Sequence, residues 1–144
     1  MIGDDGNDIL YGGAGIDILV GGSGDDVLTG GADQDYLIGG AGADTFVYTA
    51  ASDSTDASPD ILNDFQTGVD RIDLSQLHTN SADRLLIVST GGYTYVEVDL
   101  GGDGSIDTMI KVSGANAAMT GDIVWDAPAP AHVVSAAHDL AAFG

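Results

Sequence analysis

From Gly3 to Val47 a large apolar side chain recurs once every nine residues, at Leu10, Leu19, Leu28, Leu37 and Phe46, with no insertion. The five units read GDDGNDILY, GGAGIDILV, GGSGDDVLT, GGADQDYLI and GGAGADTFV. Each has six turn-forming residues and then three strand-prone ones. Glycine at unit positions one, two and four supplies backbone geometry that other residues resist. The pattern predicts glycine turns alternating with very short strands. Side chains alternate faces along a strand, so position eight points one way while positions seven and nine point the other. Coiling two units per full turn puts all five position-eight residues between two thin parallel sheets. Further along, Leu85 to Ser89, Tyr93 to Leu100 and Thr108 to Val112 read as additional strands.

Composition sharpens this. The 144 residues carry 22 glycines, a poor basis for helices, and a hydrophobic content of 44% that allows a core. With 23 acidic residues against 3 basic ones the formal charge is −20, which disfavours nucleic acid and anionic membrane surfaces as partners and calls for cations. Glu97 is the only glutamate; the other acids are aspartates, whose short carboxylates suit turns and hard metal ions. The chain has no cysteine, so disulfides, thiolate metal sites and a cysteine nucleophile are excluded. It has no apolar run of membrane-spanning length, and its first residues lack a charged-then-apolar signal pattern.

The sixth position of every unit is aspartate: Asp8, Asp17, Asp26, Asp35 and Asp44. One large apolar residue per nine does not offset the entropy of ordering so much glycine, and no lysine or arginine lies nearby in sequence. Ca²⁺ takes about 6 to 8 oxygen ligands from carboxylates and backbone carbonyls, and glycine turns offer both. Turn n stacks on turn n+2, so Asp8 faces Asp26, Asp17 faces Asp35, and Asp26 faces Asp44. Of the five, only Asp26 is flanked on both sides, which singles it out as a ligand shared between two sites. The outward residues Ile18, Val20, Tyr36 and Ile38 form an apolar stripe that the segment from Ile61 to Trp125 is expected to cover.

The units resemble the GGxGxDxUx nonapeptides of RTX proteins, a Ca²⁺-binding repeat. The resemblance implies a parallel β-roll and an all-β fold class, with the repeats followed by a small β-rich cap. It also implies that the five aspartates bind the ions together with the turn glycines: Gly3 and Gly6; Gly12, Gly13 and Gly15; Gly21, Gly22 and Gly24; Gly30 and Gly31; Gly39, Gly40 and Gly42. Two turns depart from the pattern, with Asp4 in place of the second glycine of unit one and Asp33 in place of the position-four glycine of unit four. Aspartate reaches left-handed conformations at a cost, which bears most on the Asp17/Asp35 pair.

Residues 44 to 75 resemble the segment behind the repeats in serralysin metalloproteases, most clearly in Asp60-Ile61-Leu62-Asn63-Asp64-Phe65 and Gly68-Val69-Asp70-Arg71-Ile72-Asp73-Leu74-Ser75. Related segments occur in R-modules of mannuronan epimerases. The expected organisation is repeats over 1–47, a serralysin-like β segment over 48–125 packing on the roll, and an Ala/Pro-rich tail over 126–144. In that tail residues 132–143 have helical spacing and Pro128 and Pro130 mark a linker. The resemblance implies an uncleaved type I secretion signal at the C-terminus. Serralysins end near a D-apolar-apolar-apolar sequence, matched here by Asp122-Ile123-Val124-Trp125. Either the signal lies in this tail or the match before it is only a final strand. The loop from Asp99 to Asp107 partly resembles an EF-hand, with Asp99, Asp103 and Asp107 as a weaker candidate metal set beside the plainer reading of a glycine-rich turn.

The protease zinc motif HExxH is absent, and His78, His132 and His138 are scattered without an acid/base constellation, so no catalytic residue is assigned. The function expected is a non-catalytic Ca²⁺-binding module that folds outside the cell and supports type I secretion and stability of an attached secreted enzyme. Met1 stands two residues before the first repeat, as in an excised domain. The alternative is a carbohydrate-binding module of an epimerase or polysaccharide lyase, for which Arg71, Arg84 and Lys111 are the only cationic side chains available.

Overall fold

The computed structural model describes residues 1–77, 83–113, 121–124 and 131–134. The repeats build β1 (Ile2–Asp5), β2 (Ile9–Ala14), β3 (Ile18–Ser23), β4 (Val27–Ala32), β5 (Tyr36–Ala41) and β6 (Thr45–Val47). Alternate strands pair in parallel and in register, Leu10 with Leu28 and Leu19 with Leu37, so successive units fall in opposite sheets. The chain is therefore the all-β, parallel β-roll that its repeats imply.

The strands are longer than the pattern predicted. From β2 to β5 each runs six residues, through the two glycines and small residue that open the next unit. Stacked coils offer these residues backbone partners, so the ladder extends into the glycines and the turns shrink to stretches such as Gly15 to Asp17. Positions two and four all have positive φ, and the two non-glycine residues there, Asp4 (φ 78°) and Asp33 (φ 82°), share that conformation. Both departures from the repeat thus keep the turn shape.

Leu19, Leu28, Leu37 and Phe46 are fully buried between the sheets. The row does not stop with the repeats. In β7 (Asp60–Leu62) Leu62 pairs with Leu37, and in β8 (Arg71–Asp73) Ile72 pairs with Phe46. After β8 come β9 (Arg84–Thr90), β10 (Tyr93–Asp99) and β11 (Thr108–Ser113), with β12 (Ile123–Val124) and β13 (Ala131–Val134) last. One sheet has the order β1-β3-β5-β7-β11-β10-β9-β13 and the other β12-β8-β6-β4-β2. The β9–β10 hairpin turns on Gly91 and Gly92, both at positive φ, as a two-residue turn between twisted strands requires.

Two expectations fail here. The segment after the repeats does not cover the outer stripe: β7 adds to the edge of β5 and β11 to the edge of β7. Ile18 stays exposed, and Val20, Tyr36 and Ile38 are half-buried, no more covered than Val27 and Thr29 on the opposite sheet. An open strand edge presents a full row of unpaired amides and carbonyls, a demand that burial of a few side chains does not outweigh. The helix expected from 132 onward is also replaced at its start, where β13 pairs in parallel with β9 and its edge. Residues 135–143, the proline linker and Trp125 lie outside the described residues. Of the Asp122-Ile123-Val124 match, Ile123 and Val124 form β12 beside β8.

Candidate metal centre

At every coil the amide of one sixth-position aspartate donates to Oδ1 of the aspartate stacked on it. Asp8 donates to Asp26 at 2.8 Å, Asp17 to Asp35 at 2.7 Å, and Asp26 to Asp44 at 3.0 Å. The stacked pairs are those read from the repeat. Their link in the structure is from amide to carboxylate. Asp26, Asp35 and Asp44 thereby use Oδ1 structurally and keep Oδ2 out of the ladder, while Asp8 and Asp17 contribute only their amides to it.

Those free oxygens are the unusual feature. Oδ2 of Asp8, Asp17, Asp26, Asp35 and Asp44 is buried in every case and has no hydrogen-bond partner. A buried carboxylate oxygen left unsatisfied costs about 1 to 3 kcal/mol or more, and here the omission repeats at each coil. Position-one glycine shows what faces it. A Cβ on Gly3 would lie 2.5 Å from Asp8 Oδ2 and 2.6 Å from the carbonyl oxygen of Gly21. A Cβ on Gly12 would lie 2.5 Å from the Gly30 carbonyl and 2.8 Å from Asp17 Oδ2. At Gly21 it would meet Asp26 Oδ2 and the Gly39 carbonyl, at Gly30 Asp35 Oδ2, and at Gly39 Asp44 Oδ2. A carboxylate oxygen, joined at Gly3, Gly12 and Gly21 by a backbone carbonyl of the next coil, thus packs into a small space beside each position-one Cα that only glycine leaves open. The position-one glycines are needed for this space and not for φ, which is positive at positions two and four instead.

The rows continue beyond the repeats. Asp35 donates its amide to Asp60 Oδ1 at 2.9 Å, and Asp44 donates to Asp70 Oδ1 at 3.0 Å. Asp26 is therefore not alone in being flanked on both sides; Asp35 and Asp44 are too. Asp60 keeps a buried, unpartnered Oδ2 like the repeat aspartates, whereas Asp70 Oδ2 accepts the Gln66 amide. Asp64 caps the fifth unit, taking the Gly39 and Gly40 amides at 2.9 and 2.8 Å. Reading the repeat strictly missed Asp60 and Asp70. The signal was present: Asp60-Ile61-Leu62 and Asp70-Arg71-Ile72 repeat the Asp-x-apolar end of a unit after its glycines have gone.

Burial dominates the electrostatics of both rows. Burial pushes Asp44 up to about 6 and Asp60 up to about 8, with neighbouring carboxylates adding to it and backbone amides opposing it. Burial likewise raises Asp35 and Asp70. Among the described residues no point gathers three or more acidic, histidine or cysteine side chains. What a coil could offer a cation is one carboxylate oxygen beside backbone carbonyls, a set that would suit a hard cation of flexible geometry better than zinc.

The Asp99–Asp107 loop differs. Asp99 accepts the Asp103 and Gly104 amides, Asp107 accepts that of Leu100, and Asp103 accepts the Ser105 amide and hydroxyl. Its carboxylates hydrogen-bond within their own loop. Of the histidines, His132 lies in β13, and His78 and His138 fall outside the described residues.

A coiled all-β scaffold with stacked aspartate rungs defines a repeat protein of the β-roll class. Over residues 2–125 the chain matches the family described as Peptidase M10 serralysin C terminal, and it belongs to that family. Serralysin C and Serralysin A of Dickeya chrysanthemi are 68% and 65% identical to it over 34 residues, 24% of this chain; that stretch spans 7% of either relative's length. Solution structures of the AlgE6R2 and AlgE6R3 subunits of the Azotobacter vinelandii mannuronan C5-epimerase share its fold at 29% identity. Their TM-scores are 0.65 and 0.55, covering 90% and 89% of this chain and 94% and 84% of theirs. Among the described residues no helix is long and apolar enough to cross a membrane.

Proposed function

We propose that this chain is a non-catalytic Ca²⁺-binding module that folds when Ca²⁺ becomes available outside the cell and stabilises an attached secreted enzyme. The observation that carries this reading is the row of buried, unpartnered Oδ2 atoms on Asp8, Asp17, Asp26, Asp35, Asp44 and Asp60, each repeat aspartate beside a glycine with no room for a side chain. Bound Ca²⁺ would supply the positive charge and coordination these oxygens lack. The chain's own part is to hold the oxygens in place through the amide-to-Oδ1 ladder and to keep water out with the position-eight core.

Linkage then makes folding conditional. A cation that binds only the folded coil stabilises it by RT ln(1 + [L]/Kd) per site, while without it the crowded carboxylates repel one another. Low cytosolic Ca²⁺ would leave the chain open for export through a type I secretion apparatus, and millimolar Ca²⁺ outside would close it. Membership of the serralysin C-terminal family supports this setting. A role in binding an acidic polysaccharide, by analogy with the epimerase subunits, needs a basic stripe. Arg71 lies on β8 in one sheet, with Arg84 and Lys111 on β9 and β11 in the other, so none forms.

Circular dichroism in chelator and in a Ca²⁺ titration tests the proposal. The expected result is a disordered spectrum in chelator and a cooperative gain of β structure with Ca²⁺. A native β spectrum in chelator would overturn it. Alginate oligomers added to the folded chain should leave its fluorescence unchanged.

A further inference from the structure

The antiparallel strands after the coil carry different chemistry on their two faces. Side chains alternate along β10, so Val96 and Val98 join the core shared with the roll, while Tyr93, Tyr95 and Glu97 face the other way. Residues directly opposite one another in an antiparallel pair share a face. Glu97 is opposite Met109 and Leu86, Tyr95 opposite Lys111 and Val88, and Tyr93 opposite Thr90. On this face Thr90, Tyr95, Glu97 and Met109 line a cavity of about 270 Å³. Glu97 is fully buried, Tyr95 and Met109 are half-buried, and Thr90 is exposed at the end of β9.

These groups suit one class of ligand. A carboxylate supplies charge, a tyrosine ring attracts a cation over its face, and a thioether makes a polarisable apolar wall. The face already shows the ring contact once, with Lys111 Nζ 4.0 Å from the centre of the Tyr93 ring. A hard metal ion takes about 6 to 8 oxygens, against one carboxylate and two hydroxyls among the lining side chains. An anion would meet Glu97 and a chain of formal charge −20, the same charge that draws cations in. A neutral apolar molecule would have no use for the carboxylate. Glu97 is the chain's only glutamate, and it stands within a strand, whereas the aspartates of the candidate sites open strands or lie in turns. The volume lies below the roughly 300 to 1,000 Å³ of pockets for larger ligands, and a carboxylate holds N–H donors that a quaternary ammonium lacks. We propose that this cavity is a separate site, apart from the aspartate rungs, for a small primary alkylammonium group: Glu97 receives the ammonium, and Tyr95 and Met109 pack on its alkyl chain.

The test titrates the chain, folded in Ca²⁺ at pH 8, with n-butylammonium and follows the NMR signal of the Met109 methyl group. At this pH Glu97, pushed up by burial to about 7, is ionised. n-Butylammonium should shift that signal saturably, and butan-1-ol, its neutral counterpart, should not. Glu97→Gln should weaken binding by roughly tenfold or more, the loss of a charged acceptor. Tyr95→Leu should weaken it several-fold, whereas Tyr95→Phe, which keeps the ring, should change it little. Nα-acetyl-lysine amide separates two sources of the group: shifts with both probes admit a partner's lysine side chain, and a shift with n-butylammonium alone assigns the cavity to free amines. Either result supports the proposal. An unmoved Met109 signal, equal affinity for butan-1-ol, or unchanged affinity in Glu97→Gln would each overturn it. All three are read on the folded chain, so none of them bears on whether Ca²⁺ drives folding.

Discussion

The amide of Asp35 donates to Oδ1 of Asp60 at 2.9 Å, the same bond that Asp17 makes to Asp35 at 2.7 Å, although the first pair is 25 residues apart and the second 18. A segment outside the repeats thus takes up a repeat's role. Asp60→Ala should therefore hurt as much as the loss of a repeat aspartate, leaving the Asp35 amide without its acceptor and the last even-row rung without its carboxylate. Calcium titration followed by circular dichroism should show a raised midpoint, and a midpoint equal to the parent's would confine the rungs to the nonapeptides.

The continuing rows also change the ranking of single substitutions. Asp26, Asp35 and Asp44 are each bonded to a rung on either side, whereas Asp8 and Asp17 are bonded on one side only. Aspartate to asparagine keeps the shape and one acceptor but removes the charge. Asp26→Asn, Asp35→Asn and Asp44→Asn should each raise the folding midpoint more than Asp8→Asn does. A largest effect at Asp8 would show that the rungs act independently of their neighbours.

Position-one glycine offers a steric test. At Gly21 the added methyl of alanine would meet Asp26 Oδ2 and lie 2.5 Å from the Gly39 carbonyl, while at Gly91 nothing lies within 4 Å. Gly21→Ala should abolish or strongly weaken Ca²⁺-induced folding. Gly91→Asn, in a hairpin turn where asparagine tolerates the left-handed φ of 61°, should change the midpoint little. Equal responses from the two variants would remove the cradle from the explanation.

Glu97 is fully buried on β10, lining a cavity with Thr90, Tyr95 and Met109, and burial pushes its carboxyl up to about 7 from 4.5. Because the folded chain holds this proton more tightly than the unfolded one, the stability it contributes is full below the unfolded value and is lost as pH rises through 7. Glu97→Gln cannot ionise. With saturating Ca²⁺, the variant should melt several degrees above the parent at pH 8 and close to it at pH 5. A gap that does not widen with pH would mean that Glu97 is not strained by burial.

The coil itself was legible because it is local. A nine-residue period fixes which residues turn, which extend and which face inward, and 18-residue stacking follows from two units per coil. The Asp8-to-Asp26 and Asp17-to-Asp35 pairings therefore came directly from spacing, and the conformations of Asp4 and Asp33 from their positions in the unit. What spacing could not supply was the division of labour within each carboxylate. That Oδ1 serves an amide while Oδ2 is left buried beside a glycine depends on how far apart stacked coils sit.

Beyond Val47 the tertiary structure decided. Asp60 and Asp70 occupy rungs because β7 and β8 continue the two sheets, and their Asp-x-apolar signature is too short to mark them without that placement. Side-chain pattern alone pointed to a cap over Ile18, Val20, Tyr36 and Ile38, but backbone edges govern where the later strands go. The same demand turns the start of a weakly helical stretch into β13 on the edge of β9. The sequence by itself determined the repeating unit and its chemistry, because both are set by neighbours along the chain. Where the coil ends, and which residues close it, was decided only in three dimensions, because an open sheet edge accepts whichever strand can satisfy its hydrogen bonds.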